Sequence, residues 1–75
     1  MITIQHEGIT IQLQHKNYKD KTVGQVLTAN HLELGIPKAQ KQIHVLINGE
    51  REVMLNDKCI PNNLYTISIA HEVLG

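Results

Sequence analysis

The sequence predicts an α+β fold, one mixed sheet with a single helix lying across it. Three features carry that expectation. Apolar and polar residues alternate with a period of two near both ends of the chain. A stripe of Val and Leu at three- and four-residue spacing runs between Thr22 and Gly35, and an Asn48-Gly49 pair stands between two further apolar runs. In chain order the elements read ββαββ, a loop, and a last β.

Ile2 and Ile4 alternate with Thr3 and Gln5, and beyond Glu7-Gly8 the pattern resumes as Ile9, Ile11 and Leu13 between Thr10, Gln12 and Gln14. This is a hairpin with one buried face. Its Thr and Gln side, with His6 and His15 at the ends, is expected to face water. Lys16 to Lys21 reads as a polar loop. Thr22-Val23-Gly24-Gln25 then has capping-box spacing, in which the threonine hydroxyl accepts from a first-turn amide and the glutamine reaches back. Val23, Val26, Leu27 and Leu34 fall near one stripe, with His31 or Asn30 at its margin. Gly35 closes the helix, and Pro37 opposes its continuation. Gly24 costs this single helix roughly 1 kcal/mol against alanine, which either close packing on the sheet offsets or the fold bears.

Gln42 to Ile47 and Arg51 to Leu55 flank Asn48-Gly49, the dipeptide most able to take positive φ at both central positions of a tight turn. Asn56 to Asn63, with Pro61 and several asparagines, reads as an irregular crossing segment, and Leu64 to Ala70 supplies the last strand. One helix against one sheet gives the helical stripe and the alternating strands a common partner. The architecture that does this is the β-grasp, with the first and last strands side by side as a parallel central pair and a right-handed crossover between them, although element order alone also permits other α+β arrangements. The domain then covers residues 1–70, and residues 71–75 form a flexible C-terminal tail.

Composition narrows the function classes. Seventy-five residues make one small domain with no room for a deep substrate cleft. Seven Lys and Arg balance seven Asp and Glu, and Tyr18 and Tyr65 are the only aromatics. Neither a basic footprint nor a stacking platform for nucleic acid is present. No apolar run approaches the ~20 residues of a membrane helix, one cysteine precludes an internal disulfide, and no signal-peptide pattern opens the chain, so a cytoplasmic location is expected. No acid pair, phosphate loop or Ser/His constellation points to an enzyme. What the chain offers instead is Gly75, whose missing Cβ lets an extended C-terminus enter a narrow channel and present its carboxylate.

In these elements the chain resembles the ubiquitin family. Thr22-Val23 opens the helix as in that family, Gly35-Ile36-Pro37 followed by Gln40 matches the loop after its helix, and Ile43 to Asn48 with Gly49 sits where its third strand and turn belong. The short Asn-Gly hairpin is also similar to that of bacterial sulfur-carrier and ubiquitin-like proteins. The resemblance covers nearly the whole chain in element order. It implies that an ATP-dependent enzyme adenylates the C-terminal carboxylate and passes it to a thiol, then to a lysine amine or to sulfur. Gly75 is the implied site of adenylation and conjugation, and Glu72, Val73 and Leu74 are the implied recognition tail. The implied partners are an activating enzyme, a conjugating enzyme or peptidase, and target proteins; no cofactor is implied. The tail has one glycine rather than two and carries Glu72 where the eukaryotic modifier has an arginine, so a different activating partner is expected. The alternative is a non-covalent β-grasp adaptor, or a self-assembling subunit, that acts through its sheet faces without tail chemistry.

Strand alternation also marks a candidate docking face. If Ile43, Val45, Ile67 and Ile69 point inward, then His44, Leu46, Ser68 and Ala70 point outward, a thinner and more polar patch than the apolar one of ubiquitin. Lys16, Lys19, Lys21, Lys38, Lys41 and Lys58 are candidate acceptors for chain formation. Of the five histidines, His6 and His15 are expected at matching ends of the first hairpin, but the others are scattered without ligand spacing and no metal site is expected. Cys59 reads as a small hydrophobe or an exposed thiol in the crossing segment. Homo-oligomerisation through the edge strands, the second and fourth, is a further expectation.

Overall fold

A computed structural model describes residues 1–38 and 42–69. It is a small α+β protein built on one mixed sheet of five strands: β1 (Ile2–His6), β2 (Ile9–Leu13), β3 (Ile43–Ile47), β4 (Arg51–Val53) and β5 (Asn63–Ile69). The strands lie in the order β2-β1-β5-β3-β4. β1 and β5 are parallel at the centre, as expected for the first and last strands, and every other neighbouring pair is antiparallel. No helix among the described residues is long and apolar enough to cross a membrane.

The helical region begins where the capping box predicts. Gln25 N–H donates to the Thr22 hydroxyl at 3.1 Å, and Thr22 N–H donates to the Gln25 side-chain oxygen at 2.9 Å. The crossing segment completes the cap: Val23 N–H donates to the Asp57 carbonyl and Gly24 N–H to the Leu55 carbonyl, each at 2.8 Å. The otherwise orphaned amides of the first turn thus have partners. Gly24 is buried, with its N–H on the Leu55 carbonyl.

The single expected helix is two, α1 (Val23–Ala29) and a one-turn α2 (His31–Leu34). The break is at Asn30, whose backbone leaves the helical region at φ −118°, ψ 19°. Its buried side-chain amide donates to the Val26 carbonyl at 2.9 Å and to the Tyr18 hydroxyl at 3.3 Å. An asparagine bonding the carbonyl four residues back competes with the helical ladder, and here a second acceptor rewards that choice. Gly35, at φ 68°, ends α2, and Ile36 N–H returns to the His31 carbonyl at 3.1 Å. This six-to-one closure brings Ile36 into the core. The polar loop before the helix contains a short 3₁₀ turn over His15–Tyr18.

The core lies between the helices and one sheet face. Ile2, Ile4, Val23, Val26, Leu27, Leu34, Val45 and Tyr65 are essentially inaccessible, joined by Ile36, Ile43, Ile47, Val53, Cys59 and Ile67. Three sequence expectations fail here. His6 is not on the water side of its hairpin but 5% exposed on the core side, in phase with Ile2 and Ile4. Its Nδ1 lies 2.8 Å from the Leu34 carbonyl oxygen, so the ring N–H donates there and ties β1 to the end of α2. The histidines His6 and His15 also stand at opposite ends of the hairpin, because the register pairs His6 with Ile9 beside the turn and Ile2 with Leu13 at the open end. β4 stops at Val53 rather than Leu55, since the Met54 N–H and carbonyl are taken up by the Asp57 side chain and N–H at 2.9 and 3.0 Å.

Candidate functional site

Among the described residues the second sheet face carries no helix, and strand register fixes which side chains share it. One row crosses all five strands: Thr10, Gln5, Thr66, Leu46 and Glu52. A second row holds Gln12, Thr3 and Leu64, and a third places Ser68 opposite His44. Of the residues proposed for docking, His44, Leu46 and Ser68 are therefore together on this face; Ala70 lies outside the described residues. His44 and Ser68 are exposed and Leu46 is half-buried. The His44 ring nitrogen is 3.2 Å from a Glu52 carboxylate oxygen, with both side chains more than half exposed.

The sequence reading of this face omitted Leu64 and Thr66. The signal was present, because both share strand parity with Ser68. Leu64 adds a second half-buried leucine diagonal to Leu46, so the apolar part of the face runs across β3 and β5 within a field of Thr, Gln and Ser. Asn48 fixes the near end of that field. Its N–H and side-chain oxygen bond the Leu64 carbonyl and N–H at 2.7 and 3.0 Å, and its amide donates to the Asn63 side-chain oxygen at 2.8 Å.

Two ionisable groups on the buried side have shifted equilibria. Burial pushes the Cys59 thiol up, opposed by its contact with Tyr65. The Tyr65 hydroxyl is also raised, chiefly by burial, although it accepts from Ile60 N–H at 2.9 Å. A buried thiol held in its protonated form is a poor nucleophile, so Cys59 acts as a packed small hydrophobe. An open groove of about 530 Å³ is lined by Thr22, Gly24, Gln25, Thr28, Ala29, Leu55 and Asn56, none of them titratable. Among the described residues no three His, Cys, Asp or Glu side chains come together as a metal-holding group.

The acceptor candidates Lys16, Lys19, Lys21, Lys38 and Lys58 are exposed, and Lys58 lies 3.6 Å from Asp20 in a solvated pair. Lys41 and the tail residues Glu72, Val73, Leu74 and Gly75 lie outside the described residues. β5 runs beyond its last β1 partner: Thr66 pairs with Gln5, whereas Ile67, Ser68 and Ile69 continue on β3 alone. The end of β5 is on the same side of the molecule as the Glu7-Gly8 turn, because β1 and β5 are parallel. Comparison with family models, with curated proteins and with solved structures finds no match.

Proposed function

We propose that this chain is a β-grasp, ubiquitin-like protein modifier whose Gly75 carboxylate is activated by an ATP-dependent adenylating enzyme. The observation that carries the reading is the sheet order β2-β1-β5-β3-β4, with a parallel central pair and the last strand at its heart. In such a sheet β5 pairs with β1 over Asn63–Thr66 and with β3 over Tyr65–Ile69, so its last three residues have β3 as their strand partner.

The chemistry belongs to the enzyme. A Gly75 carboxylate oxygen attacks the α-phosphorus of ATP, the α–β phosphoanhydride breaks, and pyrophosphate leaves. A thiolate of the partner then attacks the acyl carbon and AMP departs. A target lysine amine then attacks the thioester carbon and releases the partner thiol as the amide forms, or hydrosulfide attacks it, the same C–S bond breaks, and the thiol departs to leave a thiocarboxylate on Gly75. Glu72, Val73 and Leu74 are the segment the activating enzyme reads, and His44, Leu46 and Ser68 contribute a docking face. The absence of Cβ at Gly75 admits the reacting carbonyl to a narrow channel.

The test uses the full chain with its cognate adenylating enzyme, found by gene neighbourhood, plus ATP and a trapping amine or thiol. The proposal requires the mature protein to end at Gly75, which intact mass determines first. A mass increase confined to the Gly75 peptide, and lost when Gly75 is deleted, supports it. A mature chain with another C-terminus, or no adduct with the cognate enzyme, contradicts it.

A further inference from the structure

We propose that β2 pairs antiparallel with β2 of a second copy of this chain, giving a two-fold symmetric dimer with one continuous sheet. This inference is independent of Gly75.

Among the described residues β2 has a partner, β1, on one side only. Glu7 and Gly8 between the strands both have positive φ, 44° and 82°, the signature of a type I′ turn in which the flanking residues His6 and Ile9 exchange backbone hydrogen bonds. Such pairs alternate along an antiparallel ladder, so Ile11 and Leu13 also bond inward, to Ile4 and Ile2. The N–H and carbonyl groups of Thr10 and Gln12 are left aimed at the open side.

A dyad through Ile11 satisfies all of them. Thr10 of each copy then faces Gln12 of the other as a hydrogen-bonded pair. The same register sets Ile11 against Ile11 and Ile9 against Leu13 on the helix side, in the closer, non-hydrogen-bonded positions where side chains touch. Thr10 and Gln12 meet on the polar face. Apolar meets apolar and polar meets polar at every position, as an isologous contact requires. A one-residue slip loses both the hydrogen-bond phase and the match of faces.

Exposure and charge agree with this edge as the site. β2 contains no charged residue and no proline, the usual protections of a free edge. Ile9 is 39% exposed, and Ile11 and Leu13 are half-buried, which leaves apolar surface to be covered. Among the described residues the most exposed large apolar side chain, Leu32 at 83%, belongs to α2, the helix that packs against β2. The opposite edge, β4, has three residues, of which Arg51 and Glu52 are charged and exposed. One pair of five-residue strands covers less than the roughly 1,000 Å² of a stable interface, so the dimer is weak and concentration-dependent.

Sedimentation equilibrium of the full chain from micromolar to millimolar concentration should show monomer passing to dimer. In the same range, amide exchange at Thr10 and Gln12 should slow, while the Ile11 amide, already bonded to β1, should not change. The double variants T10K/Q12K and T10E/Q12E, which set like charges opposite each other, should each be monomeric with an unchanged circular dichroism spectrum, and a mixture of the two should form a heterodimer. Monomer throughout the range in the wild type, unchanged Thr10 and Gln12 exchange in its dimer, or a mixture that does not associate would each overturn the proposal.

Discussion

The hairpins β1–β2 and β3–β4 both turn through a pair of residues with positive φ, Glu7-Gly8 and Asn48-Gly49, yet they are fastened in different ways. Asn48 accepts the left-handed conformation at low cost and also spends its side chain on β5, bonding Leu64 N–H and the Asn63 side chain. Glu7 holds a similar conformation, which an ordinary side chain resists, with no such bond to the strand beside it. The second hairpin is locked at its turn and ends in the charged stub β4. The first is held by its core face, through Ile2, Ile4 and His6, and ends in an uncharged five-residue edge. A small sheet can thus be closed at one edge and open at the other, and the open edge is where a partner strand fits.

The largest effect should come from the two sides of the first hairpin. Ile4→Ala removes an inaccessible side chain and should cost about 2–5 kcal/mol, whereas the same change at its cross-strand partner Ile11 should cost about 1 kcal/mol as a monomer. Urea unfolding at low concentration measures both, and equal losses would erase the distinction between core strand and edge strand. The two turns should then respond with opposite sign. Asn48→Ala loses its side-chain bonds and strains a residue at φ 53°, costing about 1–3 kcal/mol. Glu7→Gly relieves strain at φ 44° and should stabilise by about 0.5–1 kcal/mol after the flexibility of glycine is counted. A destabilised Glu7→Gly variant would mean that the first turn is also held by its side chain.

A smaller effect should appear at alkaline pH, in the half of the core that serves the second hairpin. The Cys59 and Tyr65 values are raised in the folded chain, so folding favours their protonated forms. The stability they contribute is complete below their ordinary values of 9.0 and 10.0 and is lost as pH rises from there through the raised folded values. Thermal melts from pH 8 upward should show a falling Tm, with a shallower fall in Cys59→Ala. A Tm rising over that range would contradict the assignment.

Much of this comparison is legible in the residues themselves. The Asn48-Gly49 turn, the Thr22–Gln25 cap and the strand alternation follow from local chemistry, whereas the parallel pairing of the first and last strands follows from the architecture chosen to bury one face, which element order alone does not require. The errors lie where a side chain from elsewhere decides. Asn30 breaks the helix because the Tyr18 hydroxyl and the Val26 carbonyl both accept from its amide, and stripe position alone does not distinguish that from an asparagine at a helix margin. β4 ends early because Asp57 takes the backbone groups of Met54. His6 is a different kind of miss: its strand parity places it in the core, and its polarity masks that until the Leu34 carbonyl is found opposite. On the candidate site, parity identifies the outward face but not its extent, and Leu64 enters it only once the β1–β5 and β3–β5 registers are known. The tail rests on sequence alone.

The most direct measurement is therefore mass spectrometry of the full chain after incubation with its cognate adenylating enzyme, ATP and a trapping nucleophile. A covalent adduct at the carboxylate of Gly75, absent without ATP and absent when Gly75 is removed, is the predicted result. An unmodified C-terminus under conditions in which the enzyme activates another substrate would contradict it.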